Sequence, residues 1–170
     1  MREVVRRKLR PEDARRSNLA LVLRAIYEDS QLSRADLARA TGLTKVTVSD
    51  LVAELIASGL VRETGTSEIQ RPGKPSTLLA FDAAARDILV MDLSARDELR
   101  GAVVSLRGEL LRTAVRPLDG AVGDEALAAA LDLARELVAS ATHPVLGLGV
   151  GTPGTVNGAG TVLSAPNLHW

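Results

Sequence analysis

The sequence predicts an α+β chain in two unlike parts, helical at the front and sheet-rich at the back, and three observations carry that expectation. Apolar residues recur at helical spacing up to about residue 60. Strand-length apolar runs take over from about Asp82. The formal charge is zero overall, yet residues 1–80 hold 14 Lys and Arg against 10 Asp and Glu, while residues 81–170 hold 7 against 11, so the halves are +4 and −4. Such asymmetry suggests an anionic partner for the front half.

At 170 residues and 46% apolar composition, the chain can build one ordinary domain or two small ones. The absence of cysteine excludes a disulfide framework, a thiol nucleophile and Cys-ligated zinc, and fits a reducing compartment. No continuous apolar stretch is long enough for a signal peptide or a membrane span, so a cytoplasmic protein is expected.

Residues 1–14 read as a basic arm, since seven of the first sixteen residues are Arg or Lys against three acids. A run of this kind is usually no more than a solvated surface. The first helix follows over Asn18 to Glu28, with Leu19, Val22, Leu23 and Ile26 at i, i+3, i+4 and i+7. Ser33 with Asp36 three residues on resembles a capping box, Leu37 and Ala40 give a short apolar stripe, and Gly42 suits a left-handed helix end. Thr44 then caps a third helix whose Val48, Leu51, Val52, Leu55 and Ile56 form one face. Gly59 and Leu60 close it in a Schellman-like end. "VRET" and "TLLAF" read as two strands joined by the long loop "GTSEIQRPGKPS".

Beyond it, "DILVMDLS", "GAVVSL" and "ELLRTAV" predict an antiparallel meander. A helix from Asp124 to about Ala139 should bury Leu127, Ala130, Leu131, Ala134, Leu137 and Val138. The strand "PVLGLGV" and a turn-rich run complete a mixed sheet with at least one covered face.

Two helices joined by a short turn, the second capped, followed by a basic hairpin, match the winged variant of the helix-turn-helix. At about 100° per residue, a buried stripe centred on Val48 turns Val46, Thr47, Ser49, Asp50 and Ala53 to the flanks or the outside. Thr44, Val46, Thr47 and Ser49 are mediocre helix formers but short, which lets a helix enter the major groove. There Thr and Ser can hydrogen-bond base edges or phosphate, and Val46 can touch a thymine methyl. Lys45 and the amides at the Thr44 cap suit phosphate. Arg71 and Lys74, on a loop stiffened by Pro72 and Gly73, suit a narrow minor groove. Ser33, opening the preceding helix, completes the candidate DNA contacts.

The segments "SRADLARATGLTKVTVSDLVAELIASGLVRETG" and "RPGKPSTLLAF" resemble the winged helix-turn-helix of the ROK family of bacterial transcriptional regulators, which pair this module with a sugar-kinase-like domain. "GVGTPGTVNGAGTVLSAPNLHW" is similar to the glycine-proline turn and Asn-containing loop of that second domain. The resemblance runs from about Arg15 to Trp170. It implies a winged helix-turn-helix over residues 15–82 and an incomplete ROK domain over 83–170, stopping within the first lobe of an actin-like (ribonuclease-H-like) ATPase fold.

Kinases of that family grip ATP with Asp-x-Gly-Gly-Thr, whereas the matching residues here are Asp92, Leu93, Ser94, Ala95 and Arg96. Side chains where backbone must approach phosphate argue against a working grip. The family's catalytic Asp and its His/Cys zinc motif lie beyond Trp170. No catalytic residue, metal or cofactor is therefore expected, and a sugar kinase with an accessory module is the competing reading. By resemblance, Gly151, Pro153 and Gly154 would form the turn beside a sugar pocket, with Asn167 and Trp170 near its wall. His143, before Pro144, reads as structural, and the pairs Asp97–Glu98 and Asp124–Glu125 read as a turn and a helix start.

The expected function is sequence-specific DNA binding by a sugar-responsive repressor of carbohydrate genes. Its expected partners are double-stranded operator DNA, a sugar or sugar-phosphate effector in the intact protein, and a second copy in a homodimer or higher oligomer. No membrane is expected among them. The protein would sit in the cytoplasm, on the nucleoid when bound to DNA. A half-lobe should also leave an exposed sheet edge and apolar surface.

Overall fold

The computed structural model describes residues 10–66 and 76–170. One compact unit ends at Asp82 and a second begins at Ala83.

The first unit contains α1 (Pro11–Glu28), β1 (Leu32–Ser33), α2 (Arg34–Thr41), α3 (Lys45–Ala57), β2 (Val61–Thr66) and β3 (Thr77–Phe81). Its antiparallel sheet has the order β1-β3-β2. The helices close over it with Val22 and Ile26 of α1, Leu37 of α2, and Val48, Leu51, Val52 and Leu55 of α3, packed on Val61 and Leu79. Tyr27 meets Phe81 edge-to-face at 5.0 Å between ring centroids.

Three details differ from expectation. α1 starts at Pro11, well before Asn18, so the last residues assigned to the basic arm are helical. Its early turns are exposed and leave no apolar period, but Pro11 at the first position, Glu12 and Asp13 in the first turn, and the Arg10 amide donating to the Asp13 carboxylate mark the true start. In α2, Ala40 is exposed and Ala38 packs on the core in its place. β1 was not anticipated: two residues, paired through Leu32↔Leu79 and Ser33↔Leu78, are too short for an alternation signal.

The predicted ends are found. Gly42 is left-handed at φ 70°, and α3 closes in a Schellman pattern in which Leu60 N–H reaches Leu55 O at 3.1 Å and Gly59 N–H reaches Ile56 O at 2.9 Å. The β2–β3 register slips between Glu63 and Gly65, where Gly65 takes φ 118°, a bulge backbone that glycine adopts without strain.

The second unit holds β4 (Asp87–Asp92), β5 (Glu98–Ser105), β6 (Leu110–Pro117), α4 (Gly123–Ser140), β7 (Val145–Gly151), the short pair β8 (Thr155–Val156) and β9 (Val162–Ser164), and a terminal 3-10 turn, Pro166–Leu168. The main sheet has the order β6-β5-β4-β7, antiparallel except for the parallel pair β4–β7. The three-strand meander, covering helix and returning strand follow the expected mixed sheet. β5 begins at Glu98, inside the segment read as a connection, so Glu98 belongs to a strand rather than a turn.

The covering face of α4 is rotated from the expected one. Ala126, Ala130, Leu133 and Leu137 are buried against Leu89, Met91, Leu99 and Val103, while Leu127, Leu131 and Val138 are exposed. Apolar residues occupy so much of this helix that spacing alone cannot choose the buried side. The sheet chooses it: a Cβ on Gly101 would stand 2.7 Å from Leu137 Cδ1 and 3.3 Å from Leu133 Cδ1, so the missing side chain on β5 makes room for those leucines. Among the described residues, no helix is long and apolar enough to cross a membrane.

Candidate nucleic-acid interface

The α2–turn–α3 segment is held by local hydrogen bonds. Ser33 is 4% exposed, its hydroxyl donates to the Asp36 carboxylate at 2.5 Å, and it accepts from the Asp36 amide at 3.3 Å. The Asp36 carboxylate takes the Ser33 amide at 3.1 Å and pairs with Arg39. The Ser33 hydroxyl bond, then the backbone bond, hold the Asp36 carboxyl below its ordinary range. Ser33 therefore does not stand among outward-facing contacts, contrary to expectation: it is buried and its hydroxyl is committed to the cap.

Thr44, at φ −67° and ψ 152°, caps α3 by accepting the Thr47 amide at 3.1 Å, and the two hydroxyls lie 2.9 Å apart. Val48 N–H reaches Thr44 O at 3.0 Å. The amides of Lys45 and Val46 have no intrahelical carbonyl before them, and both residues are exposed. The first turns of α1, α2 and α4 each contain an acid, whereas that of α3 contains none and begins with Lys45. An acid there would complement the helix dipole. Without one, the positive end of α3 stays open to an external anion.

The sides of α3 divide as expected. Val46 is 71% exposed, Ser49, Asp50, Ala53 and Ala57 are exposed, and Thr47 is half-buried beside Thr44. Glu54 is paired with Arg15 of α1 at 2.6 Å, and Arg34 of α2 reaches Glu63 of β2 at 3.0 Å. Thr44, Lys45, Val46, Thr47 and Ser49 thus gather on one exposed end of one helix. Arg71 and Lys74 lie outside the described residues.

The sugar-pocket candidates of the second unit are more scattered. Gly151 ends β7 beside Asp92, and Asn167 Nδ2 donates to Ser94 O at 3.2 Å, so Asp92, Ser94, Gly151 and Asn167 share one end of the sheet. Gly154, at φ 121°, crosses backbone so tightly that a Cβ would stand 1.9 Å from Ser164 O, which makes glycine obligatory there. Pro153 is half-buried beside it. A cavity of about 410 Å³ lies instead between α4, β7 and the β8–β9 hairpin, and its walls are mainly apolar, among them Leu131, Leu148, Val150 and Val162. Trp170 lines it with its indole N–H bound to Gly123 O at 2.9 Å and packs on the core. The Asp92 carboxylate is taken by the Ser94 amide at 2.9 Å and the Ser94 hydroxyl at 2.6 Å, which hold it below its ordinary range.

Asp87 carries interactions that composition does not reveal. It has no exposure, and it accepts the amides of Thr142 at 2.8 Å and His143 at 2.9 Å as well as His143 Nδ1 at 3.0 Å. Burial pushes its carboxyl up, but the bonds from His143 and Thr142 outweigh burial and hold it below its ordinary range. Two residues far apart in sequence thus fasten the start of β4 to the turn before β7.

A model of the MarR family matches residues 20–68, the helix-turn-helix and first wing strand. The putative xylose repressor of Caldicellulosiruptor sp. (strain Rt8B.4) is 31% identical over 158 residues, covering 90% of this chain and 39% of that protein. The xylose repressor of Bacillus subtilis (strain 168) is 26% identical over 156 residues, covering 90% and 40%. The chain thus spans about two-fifths of the length of these relatives. Among solved structures, a ROK family transcriptional regulator described as a homologue of the Escherichia coli MLC protein superposes with a TM-score of 0.75 at 27% identity, covering 92% of this chain and 40% of that one. Sequence and fold agree: the chain matches a ROK family transcriptional regulator through its winged helix-turn-helix and the opening strands and first helix of the domain that follows.

Proposed function

We propose that this chain binds operator DNA as a transcriptional regulator, a repressor of carbohydrate genes whose second unit belongs to the sugar-sensing part. The carrying observation is the amino-terminal end of α3, with free amides at Lys45 and Val46, no acid in its first turn and short side chains on its outer side. In this reading α3 enters the major groove, Lys45 and the helix end meet phosphate, and Val46, Thr47 and Ser49 meet base edges. Arg71 and Lys74 act from the wing in the minor groove. Support for repression and for a sugar effector comes from the relatives, which are named xylose repressors.

The effector is a sugar or sugar phosphate, with Gly151, Pro153, Gly154 and Asn167 as its candidate contacts. In the intact regulator, a homodimer would span two half-sites, and effector binding would shift the population toward a spacing that fits them poorly. The work is done in the cytoplasm, on the nucleoid. Phosphoryl transfer is not part of the proposal: Asp92 is engaged by Ser94, and no glycine stands between Asp92 and Arg96.

Electrophoretic mobility shift on upstream DNA at low ionic strength tests the reading, because phosphate contacts release counterions and binding must weaken as salt rises. Lys45→Ala should weaken binding on all sequences and reduce the salt slope by about 1, whereas Thr47→Ala should chiefly relax preference at one or two base pairs. Equal losses on specific and random DNA for both variants would refute the division of roles, and salt-insensitive or absent binding would refute DNA recognition itself.

A further inference from the structure

Asp50 sits on the outermost line of α3. At about 100° per residue, Val46, Asp50, Ala53 and Ala57 lie opposite the buried Val48, Leu51, Val52 and Leu55, and all four are exposed. Two alanines and a valine on that line let the backbone approach a groove floor closely. The acid standing among them is out of place on every local ground. Asp is a poor helix former, and Asp50 lies beyond the first turn, where the dipole would favour it. No base stands three or four residues away, and Glu54 at i+4 is a like charge. Glu54 is neutralised by Arg15 at 2.6 Å, but the Asp50 side chain makes no ion pair or hydrogen bond among the described residues.

A carboxylate on a DNA-facing line also repels phosphate and lowers affinity for any duplex. A donor in the groove would offset that loss. The major groove offers two amino donors, cytosine N4 and adenine N6, and adenine places its acceptor N7 beside the amino group, where it repels a carboxylate. Cytosine does not.

We infer that Asp50 sets base preference by accepting a hydrogen bond from cytosine N4 in the major groove. The inference rests on the DNA-binding reading and adds a specificity-determining residue to it. The carboxylate rejects wrong bases as well as favouring the right one, because over any other base edge it is buried unpaired.

Selection of binding sites from a random duplex library, with the full chain as wild type, Asp50→Ala and Asp50→Asn, tests it. Wild type should retain one cytosine per half-site and lose about 5- to 150-fold in affinity when that base is changed. Asp50→Ala should lose the preference there while binding random DNA more tightly, and Asp50→Asn should move it toward adenine, whose N6 and N7 suit an amide. Both variants should melt no lower than wild type, since the Asp50 side chain has no partner among the described residues to lose; a lower Tm with unchanged base preference would mean that Asp50 acts structurally. If wild type binds with salt sensitivity and all three proteins select the same bases, the assignment to Asp50 is overturned while DNA binding stands. If wild type binds no duplex at low salt, the DNA-binding reading falls and Asp50 with it.

Discussion

Ser33 and Thr44 are residues of the same kind in the same place, each the N-cap of a helix, but Ser33 is also paired to Leu78 of β3. Ser33 has Asp36 to close a capping box and is buried; Thr44 has Thr47 and is exposed. From sequence both look like candidate contacts, because a hydroxyl before a helix announces a cap but not its exposure. Asp87 was invisible for a different reason: its partners, Thr142 and His143, are more than fifty residues away in the chain. Its depressed pKa has a definite sign. The clamp contributes its full stability above the ordinary carboxylate range near pH 4 and loses it as pH falls through the lower folded value. Asp87→Ala, which strands two amides and a ring nitrogen, should cost about 3 kcal/mol at neutral pH. Urea melts from neutrality down to about pH 2 should show a shallower acid loss in that variant; an identical acid profile would remove the clamp from the account.

Among the elements, α3 was legible and α4 was only half so. In α3 one apolar stripe stands against a polar remainder, so period, cap and Schellman end agree. In α4 a second line, Leu127, Leu131, Ala134 and Val138, runs beside the buried Ala126, Ala130, Leu133 and Leu137, and only Gly101 on a neighbouring strand decides between them. The choice has a measurable consequence. Leu133→Ala should destabilise the second unit by about 2–5 kcal/mol, while Leu131→Ala at the surface should cost less than about 1 kcal/mol. Equal costs in chemical denaturation would mean that the helix packs by the other line.

At the scale of the whole molecule, the exposed line of α4 continues into β7, whose Leu146, Leu148 and Val150 are 62%, 47% and 49% exposed. β7 is also a sheet edge with no charged residue among Val145–Gly151 to discourage pairing. The chain should therefore associate as its concentration rises, and sedimentation velocity should show it; a single monomeric species across the accessible range would contradict the expectation, and Leu148→Lys should reduce association. The helix-turn-helix and the order of strands and helix were readable because they depend on neighbours in sequence. The burial of Ser33, the strand β1, the packed side of α4 and the role of Asp87 were not, because each is decided by a residue distant in the chain.

The pairing of β7 with β4 bears on how the second unit comes together. β4, β5 and β6 are joined by short connections and can zip in succession, but β7 must wait until α4 has brought the chain back across more than fifty residues. Closing that span costs chain entropy before any contact repays it, so the parallel ladder should be the late step of assembly. The Asp87 clamp then serves as a latch on the last strand to arrive, and native-state hydrogen exchange should find the β7 amides opening before those of β4 and β5.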